Sequence, residues 1–418
     1  MSSTLQICHG TARIGHMAYT SEECAYLAEE HPIVASPSPI ALQYARSTKG
    51  ALPPFLEVSL PEGHMRRAML GRMERRGEPG DFALLRAVGG NMIGLVRAAD
   101  SQALAPRAND ELRLNVVQAL QMEEGELLDL AFGSGKAWPG VSGGFMKLLV
   151  TSPAAPQVGR DRHWIVKLAD RDRPGLCAIE HFGMCAARSM GLEVPQTIIS
   201  DDYSRFMVER FDFDSRAERL GFVDMCAISG LPATEKYASS AERIVGMLDA
   251  ACGSTAAASS LEKFFAQYLL ASVIRNGDAH LKNFGLLYGQ GRPAALSPVY
   301  DMLSMAVYAP KRNDGDADDG MALTLNGSRR WPTPVMLSGL ARRCRVSHER
   351  EAVWIDRLVR ALVDNAKEVT KKKTQEGLAP AGREAVARML ELWAIGLGSY
   401  SSTAAKLVRE ISREAMVH

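Results

Sequence analysis

At 418 residues with 46% hydrophobic side chains, the chain is long enough for two or three domains with cores of their own. Its 49 Lys and Arg stand against 48 Asp and Glu, so a net charge of +1 leaves no basis for a general attraction to nucleic acid or membrane, and any basic patch must be local. Seven scattered cysteines with no C-x-x-C pair disfavour a disulfide scaffold and a zinc site, and no apolar stretch reaches the roughly 18 residues of a membrane helix. The start MSSTLQICHGTARIG lacks the basic and apolar regions of a signal peptide, so we expect a cytoplasmic protein with reduced thiols.

Residues 1–128 read as a self-contained α+β unit. Within it, Met65, Met69 and Met73, then Phe82, Leu85 and Val88, have the spacing of two amphipathic helices, punctuated by Gly80, Gly89 and Gly90. The glycine-rich AFGSGKAWPGVSGG marks a boundary, after which MKLLV and RHWIVKLA read as strands. A helix follows, with Ile179, Phe182, Ala186 and Met190 on one stripe and Gly191 as its stop; SRFMVERFDF is the next strand. From about 218 onward helical patterns dominate, in LEKFFAQYLLASVI, EAVWIDRLVRALV and REAVARMLELWAIG. The expected organisation is an α+β protein: an N-terminal subdomain (1–128), a β-rich lobe with one helix (129–211) and a helical lobe (212–418).

One stretch carries chemistry. In VIRNGDAHLKNFGLL, Asp278 and Asn283 are five apart, the spacing of a phosphotransferase loop in which the Asp takes the hydroxyl proton and the Asn holds magnesium. A polar turn between helix and strand fits the same residues. Asp301, in SPVYDMLS after a strand-like run, is the candidate second carboxylate; two carboxylates and an amide suit Mg²⁺ beside a triphosphate. Lys167 sits mid-strand among apolar neighbours, where a lysine needs a partner, and Glu180 is the candidate; an edge-strand lysine reaching solvent is the alternative. Ser142, Gly143 and Gly144 before Lys147 form a turn whose N–H groups can approach phosphate. GSGK at 133–136 lacks the spacing and the Ser/Thr of a Walker loop. In NDGDADDG the glycine is late and Leu325 stands where calcium needs a Glu, so a solvated acidic loop is expected.

Taken together, LPEG (60–63), DFALLRAVGGNMIGLV (81–96), SGGFMK, WIVKL, GLEVP, MVERFDF, CAISGLPATEKY, NGDAHLKNFGLL and SPVYDMLS occur in an order that resembles the HipA-type serine/threonine kinases, toxins of bacterial toxin-antitoxin pairs. The resemblance runs over nearly the whole chain. It implies a two-lobed kinase-like fold with ATP between the lobes. It further implies Asp278 as catalytic aspartate, Asn283 and Asp301 as magnesium ligands, and Lys167 at the phosphates. The stretch Ser142, Gly143, Gly144, Phe145, Met146 and Lys147 would be the nucleotide loop, and the backbone of Glu209, Arg210 and Phe211 the adenine hinge. His280, Tyr300, Met302 and Leu303 would border the nucleotide.

The partners the resemblance implies are a small helix-turn-helix antitoxin (HipB-like), DNA only through that complex, and an aminoacyl-tRNA synthetase, classically the glutamyl enzyme, as substrate. Two positions depart from the pattern. Gly140 replaces the usual autophosphorylated serine, leaving Ser142 as the candidate acceptor, and Phe145 stands where glutamine is common. A non-catalytic co-repressor bridging antitoxin and operator DNA, and a small-molecule phosphotransferase, are the competing readings.

Overall fold

The computed structural model describes residues 3–19, 24–29, 41, 44, 46–73, 80–100, 111–133, 138–153, 160–289 and 291–415. They form two compact units, each assembled from separated stretches of chain: Met1–Lys167, Met207–Lys236 and Gly285–Ala295 make the first, and Leu168–Phe206, Tyr237–Phe284 and Leu296–His418 the second.

Among the described residues, three sheets lie wholly or mainly in the first unit. An antiparallel sheet runs Thr48–Lys49, Cys24–Ala28, Ala12–Tyr19, Ser3–His9, Val96–Asp100 in spatial order. Alternation places Leu5, Ile7 and, opposite Leu5, Met17 in the core, and Ile14 is buried where the pairing register shifts between Arg13 and Gly15. The two expected helices are present as Gly63–Met73 and Gly80–Val88, with Met65, Met69, Phe82, Leu85 and Val88 buried. In a second sheet Lys147–Ser152 pairs antiparallel with Arg162–Leu168 and parallel with Leu112–Arg113. Beyond it lies Arg205–Glu209, whose last three residues belong to this unit and whose exit ties the Arg210 amide to the His163 carbonyl at 2.8 Å.

Helices dominate the chain after about 218, as expected, but a third sheet interrupts them. Gly221–Asp224, Gly285–Gly289 and Arg292–Leu296 form three strands. Runs of four or five residues bounded by glycine are too short to reveal their period beside helices of 18 to 22 residues. Similarly, the stretch before Asp301 is not a strand; the strand ends at Leu296.

The second unit is mostly helical. Leu176–Met190 buries the stripe Ile179, Phe182, Ala186, Met190 and ends on Gly191 at φ 91°, which a side-chain-free residue adopts without strain. Gly253–Val273, His348–Val369 and Pro380–Leu397 supply Phe264, Phe265, Leu358, Leu390 and Trp393 to the core. Helix starts follow their chemistry: the side chains of Ser240, Thr333 and Ser347 accept from the backbone N–H three residues on, and Pro334 and Pro380 open first turns.

Candidate active site

In the second unit, helix Gly253–Val273 stops because Arg275 takes a left-handed conformation, φ 60°, and the Asn276 amide turns back to the Ala271 carbonyl at 2.8 Å. The loop that follows is organised by Asn276, 1% exposed. Its Oδ1 accepts the Asp278 amide at 3.2 Å while its Nδ2 donates to the Asp301 carbonyl at 3.3 Å. One buried side chain therefore fixes the backbone of both candidate carboxylates. Asn283 closes the arrangement: its Oδ1 accepts the His280 amide at 3.0 Å, and its Nδ2 lies 3.5 Å from Asp301 Oδ2. Tyr300 donates to the Lys282 carbonyl at 2.8 Å, tying the two segments once more.

Asp278 and Asn283 on one segment and Asp301 on another are thus held together through Asn276 and Asn283. Asp301 sits at φ 50°, and Met302 and Leu303 are buried behind it. The backbone here meets helix Leu176–Met190 at Gly183, where an added Cβ would stand 2.1 Å from the Met302 carbonyl oxygen. The Asp301 carboxylate suits a hard cation such as Mg²⁺, whereas Asn283 turns its Nδ2 toward Asp301 and its Oδ1 toward the His280 amide, so its amide must turn over to offer oxygen to the same ion. No group of three His, Cys, Asp or Glu with metal-binding proximity occurs among the described residues, so any such ion would depend on the amide as well.

Three features of this region were not foreseen. Tyr237 donates its hydroxyl to Asp278 Oδ1 at 2.6 Å, and its ring meets His280 edge-on, centroids 5.2 Å apart. Asp319 packs on Gly277, where a Cβ would lie 2.0 Å from its Oδ2; burial, reinforced by Asp318, raises its carboxyl. The third corrects the solvated acidic loop. Asp314 is exposed, but Asp316 is 5% exposed and accepts both Nε (3.1 Å) and Nη2 (2.9 Å) of Arg275, whose guanidinium lies over Trp331. The loop clamps the residue from which the candidate catalytic turn departs.

In the first unit, Ser142 to Lys147 form a turn held from two directions. Lys147 Nζ donates to the Ser142 carbonyl at 2.9 Å, and LPEG embraces the glycines: the Glu62 amide donates to Gly143 O at 3.1 Å and the Met65 amide to Gly144 O at 3.3 Å. Gly143 has φ 110°, closed to ordinary side chains. At Gly140 a Cβ would lie 2.8 Å from the Asn91 carbonyl oxygen and 2.9 Å from Met92 Cα, so this conformation has no room for a serine there. Phe145 and Met146 complete the turn. Of the GSGK stretch, residues 134–136 lie outside the described residues.

Lys167 is buried in the first unit and Glu180 in the second. Glu209 forms a two-pronged ion pair with Arg162 at 2.9 and 2.7 Å. The Arg210 side chain is fully buried between Glu111 (2.5 Å) and Asp212 (2.6 Å), and Glu111 also engages His163 and Thr151. Burial alone would raise the Glu111 carboxyl, but Arg210, His163 and Thr151 together hold it below its ordinary range. Asp212 reaches the Gly94 amide at 2.7 Å, and Phe213 stacks on His163 at 3.9 Å. This network holds the backbone of residues 209–211; sequence reading missed it because its members span about a hundred positions.

Residues 5–99 match the model of the HipA N-terminal domain, and residues 140–368 that of the HipA-like C-terminal domain. Two Sinorhizobium fredii proteins named "Putative kinase Y4dM" and "Putative kinase Y4mE" are 26% and 28% identical over 62% and 61% of this chain. These matches span 63% and 64% of the relatives, less than two thirds of their length. A solved structure of the Shewanella oneidensis HipA, HipB and operator DNA complex aligns over 99% of this chain and 96% of that one, with a TM-score of 0.60 and 18% identity.

Proposed function

This chain belongs to the HipA family, and from that premise we propose that it is a Mg·ATP-dependent serine/threonine protein kinase acting as the toxin of a toxin-antitoxin pair. The observation that carries the reading is the Asn276 bridge, which binds the Asp278 amide and the Asp301 carbonyl with one side chain while Asn283 stands beside Asp301. A polar turn would not require a buried amide to join two separate carboxylate-bearing segments.

Under this reading Asp278 accepts the proton of the substrate hydroxyl as that oxygen bonds to the γ-phosphorus and the bond to the ADP leaving oxygen breaks. Asn283 and Asp301 hold Mg²⁺, which when bound neutralises charge on the phosphates. Lys167 is the proposed fixed cation at those phosphates and Glu180 its proposed counter-charge, and the Ser142–Lys147 turn offers the phosphates backbone N–H groups. The hinge is the backbone of Glu209 to Phe211, and His280, Tyr300, Met302 and Leu303 line the nucleotide. Ser142 is the proposed acceptor of any self-phosphorylation. The segments 1–128, 129–211 and 212–418 are the proposed functional divisions.

A small helix-turn-helix antitoxin is the proposed partner, in keeping with the S. oneidensis relative being found with HipB and operator DNA. The proposed target is an aminoacyl-tRNA synthetase of the cytoplasm, the glutamyl enzyme first. The test is incubation of the whole chain with Mg²⁺, γ-labelled ATP and a soluble bacterial extract. Label should enter the chain itself or a synthetase, and Asp278→Asn or Asp301→Asn should abolish it. ATP binding without transfer to any protein refutes the reading.

A further inference from the structure

We propose that Tyr237 is the positioning residue of Asp278, holding its carboxylate through the phenol so that the remaining lone pairs face the acceptor hydroxyl. The inference rests on the reading of Asp278 given above. Its basis is the 2.6 Å bond from the Tyr237 hydroxyl to Asp278 Oδ1. This is the short distance of a charge-assisted hydrogen bond. An ionised carboxylate has about four acceptor sites, so one phenol orients the group without consuming its capacity.

The phenol is delivered by backbone secured on both sides. Tyr237 is the first residue of its stretch in the second unit, and there its carbonyl accepts Arg329 Nη2 at 2.6 Å. One residue earlier the chain belongs to the first unit, where Lys236 Nζ donates to Glu62 Oε2 at 2.7 Å. Glu62 is the LPEG residue whose amide holds Gly143. A tyrosine 36% exposed gains little from burial, and a merely structural role would rest on its edge contact with His280.

The experiment compares wild type, Tyr237→Phe, Tyr237→Ala and Asp278→Asn in the labelled-ATP extract assay, recording turnover, the KM for ATP and the urea midpoint. Phe keeps the ring against His280 and removes only the hydroxyl. Losing a hydrogen bond to a charged group corresponds to a turnover loss on the order of tenfold, with the KM for ATP held within about twofold and the urea midpoint unchanged. Turnover of Tyr237→Phe at or above wild type overturns the proposal, as does a loss confined to Tyr237→Ala, which would assign the role to ring packing. If wild type transfers and Asp278→Asn does not while Tyr237→Phe matches wild type, only this inference falls. If wild type itself transfers nothing, the kinase reading falls and takes this inference with it.

Discussion

Replacing Asp212 by Asn tests how the backbone of residues 209–211 is held. Asp212 accepts three hydrogen bonds: Arg210 Nε at 2.9 Å, Arg210 Nη2 at 2.6 Å and the Gly94 amide at 2.7 Å. Asn keeps one acceptor oxygen and turns an NH₂ toward a donor. At about 1.5–3 kcal/mol per bond to a charged group, a plain sum overshoots, because Glu111 stays to neutralise the guanidinium. The cost of breaking one partner of a buried pair, about 3–5 kcal/mol, is the better guide. Urea unfolding of the whole chain, followed by hydrogen exchange of strand Arg162–Leu168, should show that loss, together with weakened ATP binding. Adding Arg210→Met alone should not recover it, since Glu111 then becomes the buried charge without its arginine. A loss below about 1 kcal/mol in Asp212→Asn would refute the claim that this network anchors the segment.

Three further outcomes follow from the structure. His9 and His181 are lowered to about 4, mainly by burial, so the folded state keeps them neutral and their stability contribution is complete above the ordinary 6.5 and lost as pH falls toward 4. His181→Phe should remove about 1.4 kcal/mol per pH unit from the slope of unfolding free energy in that window, measured by urea titration. Glu111, lowered by its partners, adds a second loss below its ordinary 4.5, and Glu111→Gln should flatten that acid limb in the same titration. Gly183→Ala forces a methyl into the Met302 carbonyl and should cost on the order of 1–3 kcal/mol while displacing Asp301; unchanged Mg·ATP affinity by calorimetry would count against the coupling.

Long periodic segments were legible in the sequence because a helix repeats its burial every turn: Ile179, Phe182, Ala186 and Met190 declare one face. Asp278 and Asn283 stood out as candidates because they share one short loop, and the structure sets that loop beside Asp301. What could not be read is any partnership without a period. Tyr237 meets Asp278, and Arg275 meets Asp316, each across 41 residues. The acidic loop looked solvated because composition records the charge of Asp316 and not the cation that covers it. The strand Gly285–Gly289 entered only with the polar-turn alternative, because five residues between turns favour no period decisively.

The left-handed backbone at Asp301 bears on how this position should be probed. Asparagine and aspartate tolerate that region better than other side chains, whereas alanine or valine adds conformational strain of roughly 1 kcal/mol or more. An alanine scan would therefore report a distorted hairpin of chain as though it were a lost ligand. Asparagine alone separates the electrical contribution of the oxygen from the shape of the peptide that carries it.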